Sequence, residues 1–345
     1  MCIAVFIWNS HPLYPFLLLL NRDEYHNRYV CIYLCCHHFS LFCPTRALGW
    51  WEDGEIVGGR DGEAGGTWLA CTRAGKLAFL TNVREIRPST SLLKSSRGHL
   101  PLRFFKVCVC VCVCSFNCCF SLFCPVSQQI RSSTIYYNSC VVDILQSEKS
   151  PEEFAEELVG EVDQYNGFNL IAADLRSMSM VYITNRPKDD GLSVAQVSPG
   201  IHVLSNAKLD TPWPKAERLR HSFEEVMRKY CEAEISMEDI TEKLMNDTTK
   251  DDESKLPHIY PPEFEYLLSS IFVEAADTPL GRYGTRSTSG VVLRRSGEIS
   301  FYERNLEGDS WKEQTRVMTY AFTPTNVNVL NQEMRCKCIA AGNNC

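Results

Sequence analysis

The second residue of the chain is a cysteine, at the start of the apolar segment CIAVFIW. We expect Met1 to be removed because cysteine is small, which would leave Cys2 with a thiol and a free α-amine. An ordinary α-amine has a pKa of about 7.7–8.0 and a cysteine thiol one of about 8.5, so the amine can take the thiol proton. These features are typical of an N-terminal nucleophile. The dipeptide by itself favours a simpler interpretation, in which Cys2 is a small apolar residue that begins a buried strand.

A second apolar segment, FLLLL, ends abruptly in four polar residues, Asn21 to Glu24. The pattern predicts a hairpin of strands Cys2–Trp8 and Phe16–Asn21. In such a hairpin Arg22 and Asp23 would return beside Cys2. An arginine lowers the pKa of a neighbouring thiol, and a carboxylate can hold an α-ammonium group. A surface ion pair at a strand end is the alternative, and the pattern leaves both open.

Three more polar residues follow strands or turns in a way that could serve a reaction. Asn82 follows LAFLT and Asn206 follows IHVLS, where their amides could donate hydrogen bonds to an oxyanion. Taken singly, each asparagine is more often a turn former. Arg286 follows the glycine-containing segment Gly281–Thr285 and could bind a carboxylate, although an arginine there could equally lie on the surface. The histidines show no ligand spacing, so no metal site is predicted.

The rest of the chain alternates strands with amphipathic helices. Further strands are predicted at Leu77–Asn82, Asn169–Asp174, Met180–Asn185, Ile201–Asn206, Gly290–Arg294 and Ile299–Glu303. Helices are predicted after Ser150, where SPEE forms a capping box with proline at the first position, and at Pro214–Cys231 and Ser236–Met245. Strand pairs separated by helices indicate sheets with helices packed outside them.

Composition limits the class of protein. With 345 residues the chain is long enough for one large domain or two ordinary ones, and its net charge of -7 argues against a nucleic-acid binder. Eight of the 18 cysteines lie between Cys108 and Cys140, and outside three clusters only Cys2, Cys71 and Cys231 remain. A secreted disulfide framework spreads its cysteines along the chain, so we expect a reducing compartment.

Many of the clustered cysteines lie at residues 106–124, in the segment KVCVCVCVCSFNCCFSLFC. Residues 107–130 carry no charge and are long enough for a membrane span, but they hold little leucine, and alternating Val-Cys has the period of a strand. Structural zinc sites favour C-x2-C spacings that are absent from the alternating run. A GT dinucleotide repeat translates as Val-Cys, and the word FSLFCP occurs at both 39–44 and 120–125. We therefore interpret 29–43 and 107–146 as translated intron sequence.

Eight short motifs resemble those of one known family. They are MCI at the start, NRDE at Asn21–Glu24, GGTW at Gly65–Trp68, TN at Thr81-Asn82, YNGFNLIAAD at Tyr165–Asp174, SNA and TPW within Ser205–Trp213, and YGTR at Tyr283–Arg286. Together they resemble the transport and Golgi organization 2 family, also called the NRDE family. The resemblance implies an α+β fold, an N-terminal-nucleophile-hydrolase-like αββα sandwich. It implies one domain at 1–315, interrupted at 29–43 and 107–146 and followed by an atypical tail at 316–345.

The resemblance also carries functional expectations. The family implies a cytoplasmic protein with Golgi and mitochondrial association, involved in Golgi organisation and protein secretion. Haem, lipid or acyl-CoA is then the expected small-molecule ligand, with haem as cargo, no required cofactor, no nucleic acid and no transmembrane span. Cysteine amidases of the wider fold resemble the chain at Cys2, Arg22, Asp23, Asn82, Asn206 and Arg286. Two functions follow: a trafficking-related protein or, alternatively, a Cys-dependent amidohydrolase or thioesterase with Cys2 as nucleophile.

Overall fold

The computed structural model describes residues 2–26, 46–51, 54–61, 65–86, 94–111, 141–230 and 233–319, with only the backbone at 106–111 and 141–146. The strands are β1 Cys2–Trp8, β2 Phe16–Tyr25, β3 Arg46–Trp50, β4 Ile56–Arg60, β5 Leu69–Thr72, β6 Lys76–Asn82, β7 Lys106–Val111, β8 Val141–Gln146, β9 Phe168–Asp174, β10 Ser179–Thr184, β11 Ser193–Gln196, β12 Gly200–Leu204, β13 Ala276–Thr278, β14 Gly281–Leu293, β15 Glu298–Glu307 and β16 Ser310–Thr319. The helices are α1 His99–Phe105, α2 Pro151–Leu158, α3 Pro214–Lys229, α4 Met237–Met245 and α5 Pro262–Leu267.

Two antiparallel sheets contain most of these strands. The first has the order β12-β1-β2-β14-β15-β16, with the short β13 paired to β14. The second has the order β11-β10-β9-β6-β5-β4-β3. The predicted hairpin is confirmed, because β1 pairs with β2 in a register that places Cys2 opposite Arg22 and Trp8 opposite Phe16.

The side-chain alternation of the strands divides the apolar residues into layers. Ala4, Phe6 and Leu18 of the first sheet pack with Phe79 and Ile171 of the second in one buried cluster between the sheets. The opposite face of the first sheet packs against α3 and α4, and that of the second against α1 and α2, in separate clusters. The layer order is helix, sheet, sheet, helix, which confirms the predicted N-terminal-nucleophile-hydrolase-like αββα sandwich.

The predicted helix signals have the expected local causes. Ser150 caps α2, since its hydroxyl accepts from the Glu153 N–H while the Glu153 carboxylate accepts from the Ser150 N–H, and Pro151 occupies the first helical position. In α3, Leu219, Phe223 and Val226 form the buried face that covers the first sheet. These two helices therefore belong to opposite outer layers of the sandwich.

The interrupted segments lie mostly outside the described residues. The described parts of 107–146 form an antiparallel pair, β7 with β8, in which Lys106 lies opposite Gln146. The Ser147 N–H donates to the Phe105 carbonyl at 3.0 Å, so the chain leaves and re-enters the domain at neighbouring positions. Residues 29–43 lie outside the described residues, as do 320–345. The final strand β16 ends at Thr319, so the sheet continues past the predicted domain boundary at 315.

Candidate functional site

One cross-strand row on the inner face of the first sheet organises the site. Cys2 lies opposite Arg22, Arg22 opposite Ser287, and Ser287 opposite Asn305, across β1, β2, β14 and β15. By alternation Cys2 follows Ala4, and Arg22 follows Leu20, onto the face between the sheets. The prediction that Arg22 lies beside Cys2 is therefore confirmed. The row is buried, since Cys2 is 7% exposed and Arg22 6%.

Arg22 crosses from the first sheet to the second. Its guanidinium lies 3.9 Å from the centre of the Trp68 ring, a cation–π contact. Gly59 in β4 makes room for that ring, because a Cβ there would lie 2.2 Å from the indole. Within the described part of the chain, no oxygen accepts a hydrogen bond from the Arg22 guanidinium. Gly59 and the motif residue Trp68 thus hold an arginine whose side-chain donors make no hydrogen bond to the described residues.

Asp23 points to the opposite face of β2, under the helices. Its Oδ1 accepts a hydrogen bond from the Thr285 hydroxyl at 2.7 Å, and that hydroxyl accepts from the Val273 N–H at 2.9 Å. Burial raises the pKa of Asp23, while the Lys215 ammonium and the Thr285 hydroxyl lower it. Asp23 also raises the pKa of the Cys2 thiol, which shows that the two groups interact electrostatically.

The two asparagines meet at the junction of the sheets. Asn206, just after β12, donates its Nδ2 to the backbone carbonyl of Asn82 at the end of β6, at 2.8 Å. The neighbouring Ser205 hydroxyl donates to the Cys2 carbonyl at 3.1 Å, and Thr81 donates to the Ser205 carbonyl. The strand ends that carry Cys2, Asn82 and Asn206 are therefore joined by direct hydrogen bonds. Since an amide nitrogen has two hydrogens, Asn206 keeps a second donor.

Burial dominates the ionisation of Cys2. It raises the thiol pKa, whereas a backbone hydrogen bond from Asp23 and the charge of Arg22 lower it. The expected effect of Arg22 is present, but burial outweighs it. A thiol that stays protonated in the resting protein needs a base close by before it can attack a carbonyl.

Sequence reasoning missed Lys215, whose side chain is buried at the start of α3. Its Nζ donates to the Leu268 carbonyl at 2.8 Å, and the residue is only 2% exposed. Burial and the charge of Arg84 lower its pKa to about 8, while Asp23 and Cys2 act in the opposite direction. A signal for it exists in the sequence, since a lysine in the first turn opposes the helix dipole. A lysine at that position suggests that a buried hydrogen-bond acceptor holds its ammonium group.

Arg84 was missed as well. It forms a buried ion pair with Glu265 at 2.5 Å, and its guanidinium lies 4.7 Å from the ring centre of Trp213. The backbone N–H of Arg84 donates to the Asn206 carbonyl at 2.7 Å, and this hydrogen bond fixes the turn that contains Asn206. Arg84 lies two residues after Asn82, in a segment without strand or helix periodicity. The sequence pattern therefore did not predict that Arg84 is buried.

A small open cleft lies at the other end of the row. It has a cavity volume of about 20 Å³ and is lined by Arg22, Arg46, Ala47, Trp68, Arg286, Ser287, Glu303, Asn305 and Leu306. Arg286 is the extra residue of a bulge in β14, where Thr285 pairs with Asp23 but Ser287 pairs with Arg22. Bulges redirect a side chain relative to the regular alternation, and here Arg286 joins Arg22 at the cleft.

Glu303 is the one carboxylate among the residues lining the cleft. It is 1% exposed and accepts a hydrogen bond from the Leu48 N–H. Burial raises its pKa to about 7, and the Leu48 N–H and the charge of Arg22 only partly oppose that shift. Glu303 is consequently near half protonation at neutral pH.

Among the described residues, no three His, Cys, Asp or Glu side chains are grouped so as to hold a metal ion. Within the same residues no helix has the length and apolar character needed to span a bilayer.

The helix-sheet-sheet-helix layers define the class of fold, an N-terminal-nucleophile-hydrolase-like αββα sandwich. The chain belongs to the Transport and Golgi organisation 2 family, whose family model matches residues 1–108 and 128–308. The match leaves 109–127 uncovered, inside the predicted interruption at 107–146, whereas 29–43 lies within the matched residues. The family expected from the sequence motifs is thereby confirmed.

Curated relatives match along nearly the whole chain. The mouse Transport and Golgi organization 2 homolog is 27% identical over 338 residues, covering 94% of this chain and 99% of the relative. The human Transport and Golgi organization protein 2 homolog is 28% identical over 340 residues, with the same coverage of both chains.

Solved structures show a more distant likeness. A variant of the conjugated bile acid hydrolase from Clostridium perfringens has a TM-score of 0.44 and 9% identity, covering 95% of this chain and 100% of the other. A second variant of that hydrolase has a TM-score of 0.36 and 11% identity, covering 94% and 98%.

Proposed function

We propose that this protein is a cysteine hydrolase of amide or thioester bonds, with Cys2 as the nucleophile. The observation that supports it most is the hydrogen-bonded junction that joins the strand ends of Cys2, Asn82 and Asn206. That junction supports the proposal because it links the backbone of Cys2 to the strand ends that carry Asn82 and Asn206, and Arg22 beside Cys2 lines the cleft. The proposal requires that Cys2 carry a free α-amine, since the raised pKa of its thiol calls for a base close to Sγ.

In the first half of the reaction the α-amine of Cys2 takes the thiol proton, and Sγ attacks the substrate carbonyl carbon. The carbonyl oxygen becomes an oxyanion, which the Asn82 and Asn206 amides stabilise by hydrogen bonding. The carbon–nitrogen or carbon–sulfur bond then breaks, and the leaving amine or thiol receives the proton from the α-ammonium. The product of this half is a thioester between the acyl group and Cys2.

In the second half water attacks that thioester while the α-amine accepts a proton from it. Collapse of the new tetrahedral intermediate releases a carboxylic acid and returns the proton to Sγ. Arg22, Asp23 and Arg286 position substrate and nucleophile, Arg22 and Arg286 from the cleft and Asp23 through its charge near Cys2.

The alternative function is a trafficking role in which the fold only binds haem or a lipid. The described cleft fits such a cargo poorly, because its volume of about 20 Å³ is far below the roughly 300–1,000 Å³ of usual small-molecule pockets. Its lining also contains three arginines and one glutamate, whereas a haem or lipid site needs extended apolar walls. A role in Golgi organisation, secretion, or haem or lipid trafficking is compatible with hydrolysis if the enzyme acts on a molecule used in those processes.

The test is a panel of amide and thioester substrates assayed with protein whose N-terminal residue is verified by mass spectrometry. Hydrolysis should fall at least about 1,000-fold in Cys2→Ala, since the covalent step is lost. Cys71→Ala is the matched control, because Cys71 is also a buried cysteine but lies in the core of the second sheet. Activity that survives Cys2→Ala, or that requires Cys71 equally, would contradict the proposal and favour the binding role.

A further inference from the structure

We propose that the cleft is a carboxylate-binding subsite anchored by Arg22, and that the substrate carries a carboxylate roughly 5–10 Å from its scissile carbonyl. This inference rests on the proposed hydrolase function for the position of the reacting carbon, but the binding subsite stands on its own observations. They are the unused donors of Arg22, the charge of the cleft and the spacing of the row.

The buried guanidinium needs an acceptor. Arg22 is 6% exposed, and within the described residues no oxygen accepts from its five N–H donors. Its nitrogens are not among the fully buried atoms without a partner, so the donors are accessible from the cleft, whereas the neighbouring Ser287 hydroxyl is fully buried without a hydrogen-bond partner. Buried polar groups are satisfied in most folded proteins, and an exception that lines a cleft is explained by a ligand that supplies the missing partner. The planar fork of an arginine matches the two oxygens of a carboxylate.

The orientation of Arg22 is set before any ligand arrives. Stacking on Trp68 at 3.9 Å fixes the plane of the guanidinium, and Gly59 supports the opposite side of the indole. A donor held in place loses little conformational entropy on binding, which favours a small ligand in a small cleft.

The charge of the cleft favours an anion. Arg22, Arg46 and Arg286 line it together with Glu303, whose carboxyl is buried beside Arg22. A carboxylate on Arg22 drives Glu303 toward its protonated form, since two carboxylates near one arginine repel. The three arginines outnumber the one glutamate, so the cleft also accommodates a dicarboxylate such as glutarate as a probe.

The spacing of the row sets the length of the substrate. Adjacent strands are about 4.8 Å apart, so Arg22 is one strand from Cys2 and Ser287 is two strands away. A carboxylate between Arg22 and Ser287 therefore lies roughly 5–10 Å from Sγ. Dicarboxylic half-amides or half-thioesters with a short methylene linker have this length, whereas long fatty acyl chains do not need the charged cleft.

The binding test uses the full chain carrying Cys2→Ala, so that no turnover occurs. A calorimetric titration with glutarate should show saturable binding. The affinity should fall at least about 10-fold in Arg22→Met and also in the charge-conserving Arg22→Lys. Arg73→Met is the matched control, since Arg73 is also stacked on a tryptophan at 3.9 Å but lies exposed, outside the cleft. Circular dichroism verifies that each variant is folded, and Ser287→Ala serves as a milder second variant with a smaller loss.

Several outcomes of that titration would overturn the inference. They are the absence of saturable glutarate binding, binding unchanged in both Arg22 variants, and inorganic phosphate bound as tightly as glutarate. The substrate arm compares succinyl, glutaryl and adipoyl amides and thioesters with their methyl esters in the unmodified chain. The free acids should be hydrolysed at least about 10-fold more efficiently in kcat/KM, and Arg22→Met should remove the difference.

The two arms separate failure of this inference from failure of the hydrolase function. Glutarate binding that depends on Arg22, without hydrolysis of any substrate, would support the subsite and contradict the hydrolase. Hydrolysis that depends on Cys2 but ignores the carboxylate would support the hydrolase and contradict the subsite.

Discussion

At the residue scale, the first sheet buries ionisable side chains on both faces. Glu303 lies on the inner face beside Arg22, and Lys215 covers the outer face near Asp23. Burial raises the pKa of Glu303 to about 7 and lowers that of Lys215 to about 8. Both shifts move the pKa of a normally ionised group toward neutral pH, as found often at functional sites.

Glu303 should make the free energy of unfolding depend on pH. Its pKa is about 7 in the folded chain against an ordinary value of 4.5, so the folded state binds the extra proton between those values. The stabilising contribution is complete below pH 4.5 and is lost as pH rises through 7, by about 3 kcal/mol at most. In Glu303→Gln, urea unfolding between pH 5 and 8 should show that this fall has disappeared.

Glu307→Gln is the control for that titration, since Glu307 lies on the same strand but is exposed. An identical pH dependence in Glu303→Gln and the unmodified chain would show that the carboxyl does not retain its proton in the fold.

The residues that sequence reasoning found and missed differ in a physical way. The adjacency of Cys2 and Arg22 could be predicted because hairpin register is local: the turn determines which residues face each other. The first-turn position of Lys215 is unusual, but the burial of Lys215 and Arg84 could not be predicted, because it depends on contacts with residues far away in sequence, Leu268 and Glu265. The roles of all the candidate site residues remain predictions, although the structure places Asn206 against Asn82 and Arg286 in the cleft.

At the element scale, β2 is the strand that joins the two faces of the site. Asn21 of the NRDE motif points toward the helices, where its Nδ2 donates to the Met245 carbonyl at 2.8 Å and to the Ile271 carbonyl at 3.0 Å. Its Oδ1 accepts from the Thr288 hydroxyl at 2.7 Å. Asn21 thus ties β2 to the end of α4, to the segment before β13 and to β14.

Asn21→Ala should therefore cost stability rather than chemistry. It leaves two buried carbonyls and one hydroxyl without this partner, and each buried loss costs about 1–3 kcal/mol. We expect a loss of roughly 3 kcal/mol or more in urea unfolding, with a control at the exposed Gln164→Ala within about 0.5 kcal/mol of the unmodified chain. A loss below 1 kcal/mol would mean that this hydrogen-bond network does not hold β2.

The sheet elements were more predictable than their arrangement. Apolar segments at Cys2–Trp8 and Phe168–Asp174 are found close to the predicted bounds because a buried strand needs an unbroken apolar run. The order of strands depends on pairings such as β1 with β12, whose residues are about 200 positions apart. The bulge at Arg286 likewise needs a partner strand to be visible, and neither feature has a local signal.

At the scale of the whole molecule, the sandwich closes independently of 107–146. Each core cluster is formed by residues outside that segment, and Lys106 and Gln146 pair at its entrance. The helix-sheet-sheet-helix layers were predictable through the family motifs. The domain boundaries remain a prediction, apart from β16, which extends the sheet to Thr319.

Deletion of Val107–Gln146 should leave the fold intact. The new peptide bond joins Lys106 to Ser147, whose N–H already donates to the Phe105 carbonyl at 3.0 Å, so the gap is short. The midpoint of thermal unfolding should stay the same or rise, because a shorter loop costs less closure entropy. Deletion of the equally long core segment Gly167–Asn206 is the contrasting variant and should prevent folding. A Val107–Gln146 deletion that also fails to fold would contradict the independence of the sandwich.

The most direct test of the central claim is the alkylation of Cys2 near neutral pH. Limiting iodoacetamide is added to the chain without 29–43 and 107–146, and peptide mass spectrometry locates the label. We predict fast, selective labelling of a Cys2 whose α-amine is free, with faster reaction by anionic iodoacetate that depends on Arg22. A retained methionine before Cys2, or a Cys2 no more reactive than the buried Cys71, would contradict a nucleophilic role for Cys2.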